Sequence, residues 1–312
     1  MKKPLIGISS CLLGNSVRYD GTHKKYNWVV DELSAYVDFY PICPEVEMGL
    51  GVPRETVRLE KKEKDGPVQM VSNKNKTNLT RLAKDTAKFI YDSLPSHLDG
   101  FILKKDSPSC GPERVKIYYK DMPFEKGAGI FADHLINNSV DYPIIHEGRL
   151  HNPELREDFI IRVWGHFNVN QLKAKIKDIQ DLHKKYKFVL LSFDEPSFRE
   201  LGRICANNDN KKPSEVLELY RKTFMKALSS KRTRKKQANA LQHIYGFLKN
   251  ELKEKEKKNI LKLIDRYREN NLPFVALATM MQHLIDISSN EYIKDQSYFF
   301  PYPEKLELFL DL

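Results

Sequence analysis

Three short apolar runs in the first 110 residues each lead into a cysteine, and this arrangement constrains the fold more than any other feature. Leu5-Ile-Gly-Ile8 precedes Cys11, Val37-Asp-Phe-Tyr-Pro-Ile42 precedes Cys43, and Phe101-Ile-Leu103 precedes Cys110. Apolar runs this short, bounded by Ser, Pro and Gly, read as buried strands. Pro44 lacks an N–H and cannot continue a ladder, so the chain turns within Pro41-Ile-Cys-Pro-Glu-Val-Glu47. Open α/β sheets bind ligands at the carboxyl ends of their strands, and the turn puts a thiol, Cys43, and a carboxylate, Glu45, at such an end.

Between these runs, strand and helix patterns alternate. Asn27–Ala35 predicts a short helix, Thr56–Leu59 and Val68–Ser72 strands, and Asn78–Leu94 an amphipathic helix with Leu79, Leu82, Ala83, Phe89 and Ile90 on one face. Met48-Gly-Leu-Gly51 offers two glycines where backbone could approach a ligand. This order predicts an α/β fold, a mainly parallel sheet with flanking helices, over residues 1–150. From Asn152 onward only helical patterns remain: Pro153–Phe167, Val169–Tyr186, Pro196–Asn207, Pro213–Leu228, Thr233–Glu251, Glu254–Asn270 and Pro273–Ser288. Several begin with Pro and polar caps. Residues 151–312 are therefore expected to form an all-α second domain, in which Met280 and Met281 are core residues.

The net charge of +10 is uneven. Residues 1–150 hold 22 Lys and Arg against 20 Asp and Glu, whereas residues 151–312 hold 30 against 22. The excess concentrates in Lys231-Arg-Thr-Arg-Lys-Lys236, next to Gln242, His243 and Tyr245, with Lys184, Lys185 and Lys187 as a second cluster. A basic run is usually a solvated face. Beside side chains that stack or hydrogen-bond with nucleotides it points to RNA, through Lys231, Arg232, Arg234, Lys235, Lys236 and His243.

Four cysteines, with Cys205 inside a helical pattern, do not make a disulfide scaffold. Ile8-Ser-Ser-Cys11 behind Lys2 and Lys3 mimics a lipoprotein cleavage site, but the apolar run is too short for a secretory core. No run is long enough for a membrane span. A reducing, cytoplasmic compartment is expected. Thiolates gathered in such a compartment suit soft metals, zinc or iron–sulfur, and three ligands leave a position open for substrate. Buried core thiols are the plain alternative. Arg18 and Asp20 are expected to pair within the Cys11 loop, and His23 to be a loop histidine. Glu47 is a weaker site candidate.

The segments ISSCLLGNSVRYDG, PICPEVEMGLGVPR and LKKDSPSCGPERVKIY resemble those of the thiouracil desulfurase family over about residues 3–147. The resemblance implies a [4Fe–4S] cluster held by Cys11, Cys43 and Cys110, with a fourth iron lacking a protein ligand. It implies catalytic roles for Glu45 and for Ser107, with Ser109 as the alternative serine. The chemistry so implied is attack of water on a thiocarbonyl carbon, with the sulfur held at the open iron and no net electron transfer. LGRICA, TRKKQANALQHIYGFLK, LIDRYRENNLPF and YIKDQSYFFPYP are similar to an uncharacterised helical domain that occurs fused behind the desulfurase domain, including in enzymes acting on 4-thiouridine of tRNA. Two places depart from those relatives: His146, where an acidic residue is expected, and Ser192-Phe193. The expected function is thus a tRNA 4-thiouridine desulfidase. The alternatives are a desulfurase of free thiouracil or thionucleosides, and a non-catalytic iron–sulfur RNA-binding protein.

Overall fold

The computed structural model describes residues 2–138, 141–306 and 308. The chain divides into two compact units, residues 1–152 and 153–312. Among the described residues no helix is long and apolar enough to cross a membrane.

The first unit carries two four-stranded sheets where the sequence pattern suggests one. It runs β1 (Leu5–Ser9), β2 (Asp38–Ile42), α1 (Pro44–Glu47), β3 (Val57–Lys61), β4 (Gln69–Ser72), α2 (Thr80–Asp92), β5 (Leu98–Leu103), β6 (Val115–Tyr119), β7 (Met122–Gly127), α3 (Ile130–Asn137) and β8 (Ile144–His146). The first sheet has the order β2-β1-β5-β8, and every pair in it is parallel. The second, β4-β3-β6-β7, is two antiparallel hairpins joined by the parallel pair β3 and β6. The β6–β7 hairpin escapes sequence reading because its turn, Lys120-Asp121, contains no glycine. Both residues nevertheless take the left-handed conformation, with φ of 49° and 62°, that a two-residue hairpin turn needs. The expected helix at Asn27–Ala35 is a π turn over Trp28–Glu32 followed by a 3-10 turn over Leu33–Ala35.

Phe101, Leu103, Phe131, Leu135, Ala87 and Ile90 pack as one cluster between the parallel sheet and helices α2 and α3, with Phe101 and Phe131 edge to face at 5.8 Å. The buried stripe of α2 is Ala83, Thr86, Ala87 and Ile90. Leu82 and Phe89, expected on that face, are exposed. One residue of offset is about 100° on a helix, enough to turn a side chain from core to solvent.

The second unit is helical: α4 (Pro153–Asn170), α5 (Ile176–Phe193), α6 (Glu195–Ala206), α7 (Pro213–Ser229), α8 (Arg234–Leu248), α9 (Glu254–Arg268), α10 (Phe274–Ile287) and α11 (Glu291–Lys294). Helix α5 packs against α6, α7 and α8, and its last turns, Phe188–Phe193, are fully buried. The segment expected as Val169–Tyr186 is displaced. Val169 and Asn170 complete α4, and the next helix starts only at Ile176 and runs to Phe193. Asp194 then accepts a hydrogen bond from the Ser197 N–H and caps α6. Ser192 is interior, its hydroxyl donating to the Val189 carbonyl at 2.7 Å, so Ser192-Phe193 is core and offers no surface for RNA. Met281 is buried as expected, but Met280 is 44% exposed.

The basic run is mostly not a free surface. Arg232 lies inside, its side chain 8% exposed, with Nε 2.8 Å from Asp158 and Nη2 on Glu157. Glu157 uses its other oxygen to accept from the Tyr302 hydroxyl. The Lys236 ammonium donates to the carbonyls of Phe193 and Lys231, and Arg234 stacks on Tyr267 at 5.2 Å. Only Lys231, Lys235 and His243 of the six expected RNA contacts are exposed. Arg232→Gln should therefore leave the buried Glu157 and the partly buried Asp158 without the cation they share and cost about 3–5 kcal/mol in urea unfolding. Lys231→Gln and Lys235→Gln should stay within about 0.5 kcal/mol of the parent.

Candidate active site

Because β2, β1 and β5 are adjacent and parallel, their carboxyl ends lie along one edge, and the three cysteine loops leave from it. The chain passes from β1 to β2 on one side and reaches β5 on the other, which makes this a topological switch point. A cavity of ≈ 330 Å³ opens there, lined among others by Cys11, Cys43, Cys110, Glu45, Arg54 and Ser107.

Each loop is built to hold its thiol. Cys11 sits in a 3-10 turn directly after β1, and its carbonyl accepts from the Lys24 N–H at 2.9 Å. Cys43 is the N-cap of α1, with Pro44 at the first helical position, where a missing N–H costs nothing. Its thiol lies 3.8 Å from the Val17 carbonyl. In the third loop the Ser107 hydroxyl accepts from the N–H groups of Ser109 and Cys110, at 3.2 and 3.0 Å. Gly111 closes that turn, since a Cβ there would stand 2.4 Å from Val115 and 2.9 Å from the Ser107 carbonyl. Glu147 anchors the loop's start, receiving the Lys104 ammonium on one oxygen and the Lys105 N–H at 2.7 Å on the other. His146, where an acidic residue is expected, faces Glu113 at 3.2 Å.

The three thiols share one electrostatic environment. Burial pushes Cys11 up to about 11, with the neighbouring Cys43 thiolate adding to it. Burial likewise raises Cys43 and, more strongly, Cys110, which also feels Cys43, Glu45 and Cys11. Lys104 and Arg18 pull Cys11 down and Arg54 pulls Cys43 down, but burial outweighs them and holds the thiols neutral; a bound metal group would supply the further positive charge that favours thiolates. Among the described residues, no three His, Cys, Asp or Glu side chains group so as to hold a single metal ion.

Glu45 is gripped from both sides. Oε1 accepts from the Ser109 hydroxyl at 3.0 Å, and Oε2 from Arg54 Nε at 3.0 Å and Nη2 at 2.8 Å. Of the two serines, Ser109 therefore touches Glu45 but is 2% exposed, whereas Ser107 lines the cavity. Arg54 and Glu147 escaped sequence reading; their only signals were VPR after a glycine loop and a lone Glu after His146. Gly49 and Gly51 take positive φ, 77° and 74°, and no protein atom lies within 4 Å of a Cβ added at either. Arg18 and Asp20 pair at 3.8 Å, and His23 and Glu47 are exposed. Cys205, buried in α6 of the second unit, is pushed up to about 12 by burial.

Residues 6–147 match the family described as 2-thiouracil desulfurase, and residues 187–303 match a protein family of unknown function, DUF1722. Through its first unit the chain belongs to the 2-thiouracil desulfurase family. It is similar to the uncharacterized protein YbgA of Escherichia coli K12, 26% identical over 153 residues, 48% of this chain and 90% of that protein. It is also similar to the uncharacterized protein YbbK of Bacillus subtilis 168, 30% identical over 114 residues, 34% of this chain and 73% of that one. A solved structure titled [4Fe-4S]-dependent thiouracil desulfidase TudS is 28% identical and covers 50% of this chain and 97% of its own, at a TM-score of 0.38.

A neutral buried thiol alkylates slowly. In the metal-free protein Cys205 should resist iodoacetamide at pH 8 and react only after denaturation. Its raised pKa also makes a stabilising contribution that is complete below the unfolded thiol value near 9 and lost as pH climbs towards 12. Cys205→Ala should flatten that alkaline loss in urea unfolding.

Proposed function

We propose that this chain is an iron–sulfur-dependent desulfurase that exchanges the sulfur of a thiolated pyrimidine for the oxygen of water, and that its substrate is 4-thiouridine in tRNA. The observation that carries the reading is the convergence of three thiols, the Glu45 carboxylate and the Ser107 hydroxyl on a single cavity. The donor set fits the group: three soft ligands around a cavity this size suit a body larger than one ion, and leave one of four metal positions without a protein ligand. Cys11, Cys43 and Cys110 would hold the [4Fe–4S] cluster. When bound, it supplies a Lewis-acidic, thiophilic iron that polarises the C=S bond.

The chain's own groups do the rest. Glu45 accepts a proton from water as its oxygen attacks the ring carbon. Ser107 keeps its hydroxyl proton free to donate, because its oxygen is occupied as an acceptor by two backbone N–H groups. Water in and hydrogen sulfide out balances the exchange with no electrons left over. Arg18, Lys24 and Lys105 stand at the cavity lining. The second unit carries most of the net charge, which supports a polyanionic substrate, with Lys231, Lys235 and His243 as its exposed contacts. The family description, 2-thiouracil desulfurase, favours the second reading, a free thiolated base.

Anaerobically prepared protein should bind about four irons per chain. Cys11→Ala, Cys43→Ala and Cys110→Ala should each lose the iron, and Cys205→Ala should keep it; stoichiometric zinc without iron would overturn the cluster assignment. Glu45→Gln should slow sulfide release by roughly 10²-fold. Wild-type protein offered 4-thiouridine tRNA and free thiouracil at two salt concentrations decides the substrate. A tRNA enzyme loses binding steeply with salt and is weakened by Lys231→Gln with Lys235→Gln. Turnover of the free base without tRNA binding establishes the second reading.

A further inference from the structure

Arg54 is 5% exposed, and each of its donor nitrogens has a partner. Nε and Nη2 grip Oε2 of Glu45, while Nη1 donates to the carbonyls of Val17 at 2.9 Å and Gly51 at 3.0 Å. Its backbone N–H donates to the Tyr19 carbonyl at 2.8 Å. The Val17 carbonyl is also the group that the Cys43 thiol approaches. Arg54 therefore joins the loop that follows Cys11 to the turn that carries Cys43 and Glu45. Ser109, the neighbour of Cys110, extends the same network into the third loop through Oε1 of Glu45.

We propose that Arg54 is a positioning residue that fixes Glu45 so that Oε1 alone is the working oxygen of the site. The inference rests on the desulfurase reading. A carboxylate offers about four acceptor positions, two on each oxygen. Arg54 fills both on Oε2, and the Ser109 hydroxyl fills one on Oε1. One position remains, on Oε1, for the water that is to be deprotonated. The two guanidinium N–H groups that meet on Oε2 and the Ser109 hydroxyl on Oε1 together hold the carboxylate plane; a lysine ammonium in place of Arg54 keeps the charge but cannot fill both positions on Oε2 and also hold the Val17 and Gly51 carbonyls. Rotation of the Glu45 carboxylate would otherwise exchange its two oxygens and move the base away from the reacting carbon, and small misplacements of a catalytic group cost large factors in rate.

The test uses Arg54→Lys, Arg54→Met and Glu45→Gln, singly and with Arg54 and Glu45 changed together. Arg54→Lys should retain wild-type iron and KM and lose about 10- to 100-fold in kcat. Glu45→Gln/Arg54→Lys should be no slower than Glu45→Gln alone, because Arg54 acts through Glu45. A second cycle, on metal-free protein, reads the pair without any turnover: Arg54→Met and Glu45→Gln should each lower Tm, and the double variant should melt no lower than the worse single one. Multiplying rate losses, a wild-type kcat in Arg54→Lys, or additive losses of Tm would overturn the inference. Wild-type protein that neither holds iron nor releases sulfide overturns the desulfurase reading instead, and the melting cycle still decides whether the fork holds Glu45.

Discussion

Parallel pairing of β2, β1 and β5 is the constraint on which the site depends. Parallel neighbours must end on the same side, so loops separated by up to about a hundred residues leave from one edge. Three cysteines that share no local spacing motif become neighbours for that reason alone. The pairing is itself secured by the unbroken burial of β5 and by Asp99, whose carboxylate accepts from the Leu5 N–H at 3.0 Å at the start of β1.

The loops at that edge are tied by polar contacts rather than by packing. Glu147 holds the beginning of the Cys110 loop, Ser107 its turn, and the Glu45–Arg54–Ser109 network spans all three. Buried polar groups are stable only when their partners are in place, so this network makes the site rigid as long as it is complete.

The second unit illustrates a different balance. Its basic run looks like an RNA-binding surface in one dimension, yet Arg232 is held inside between Glu157 and Asp158, and Lys236 ties down the carbonyl that ends α5. Within the run itself only Lys231 and Lys235 remain exposed.

What the sequence determined by itself was local: the strands running into Cys11, Cys43 and Cys110, the turn at Pro44, and the change to helices at Pro153. Turn residues, caps and hydrophobic period act over a few residues, so they can be read from the chain. Burial of a charge, the rotation of α2 that exposes Phe89, the glycine-free hairpin beyond Tyr119 and the fork of Arg54 on Glu45 were decided only by the tertiary structure. Each depends on which distant element comes to lie against it. A guanidinium pairs with whichever carboxylate the fold brings within about 3 Å, and no local pattern encodes that distance.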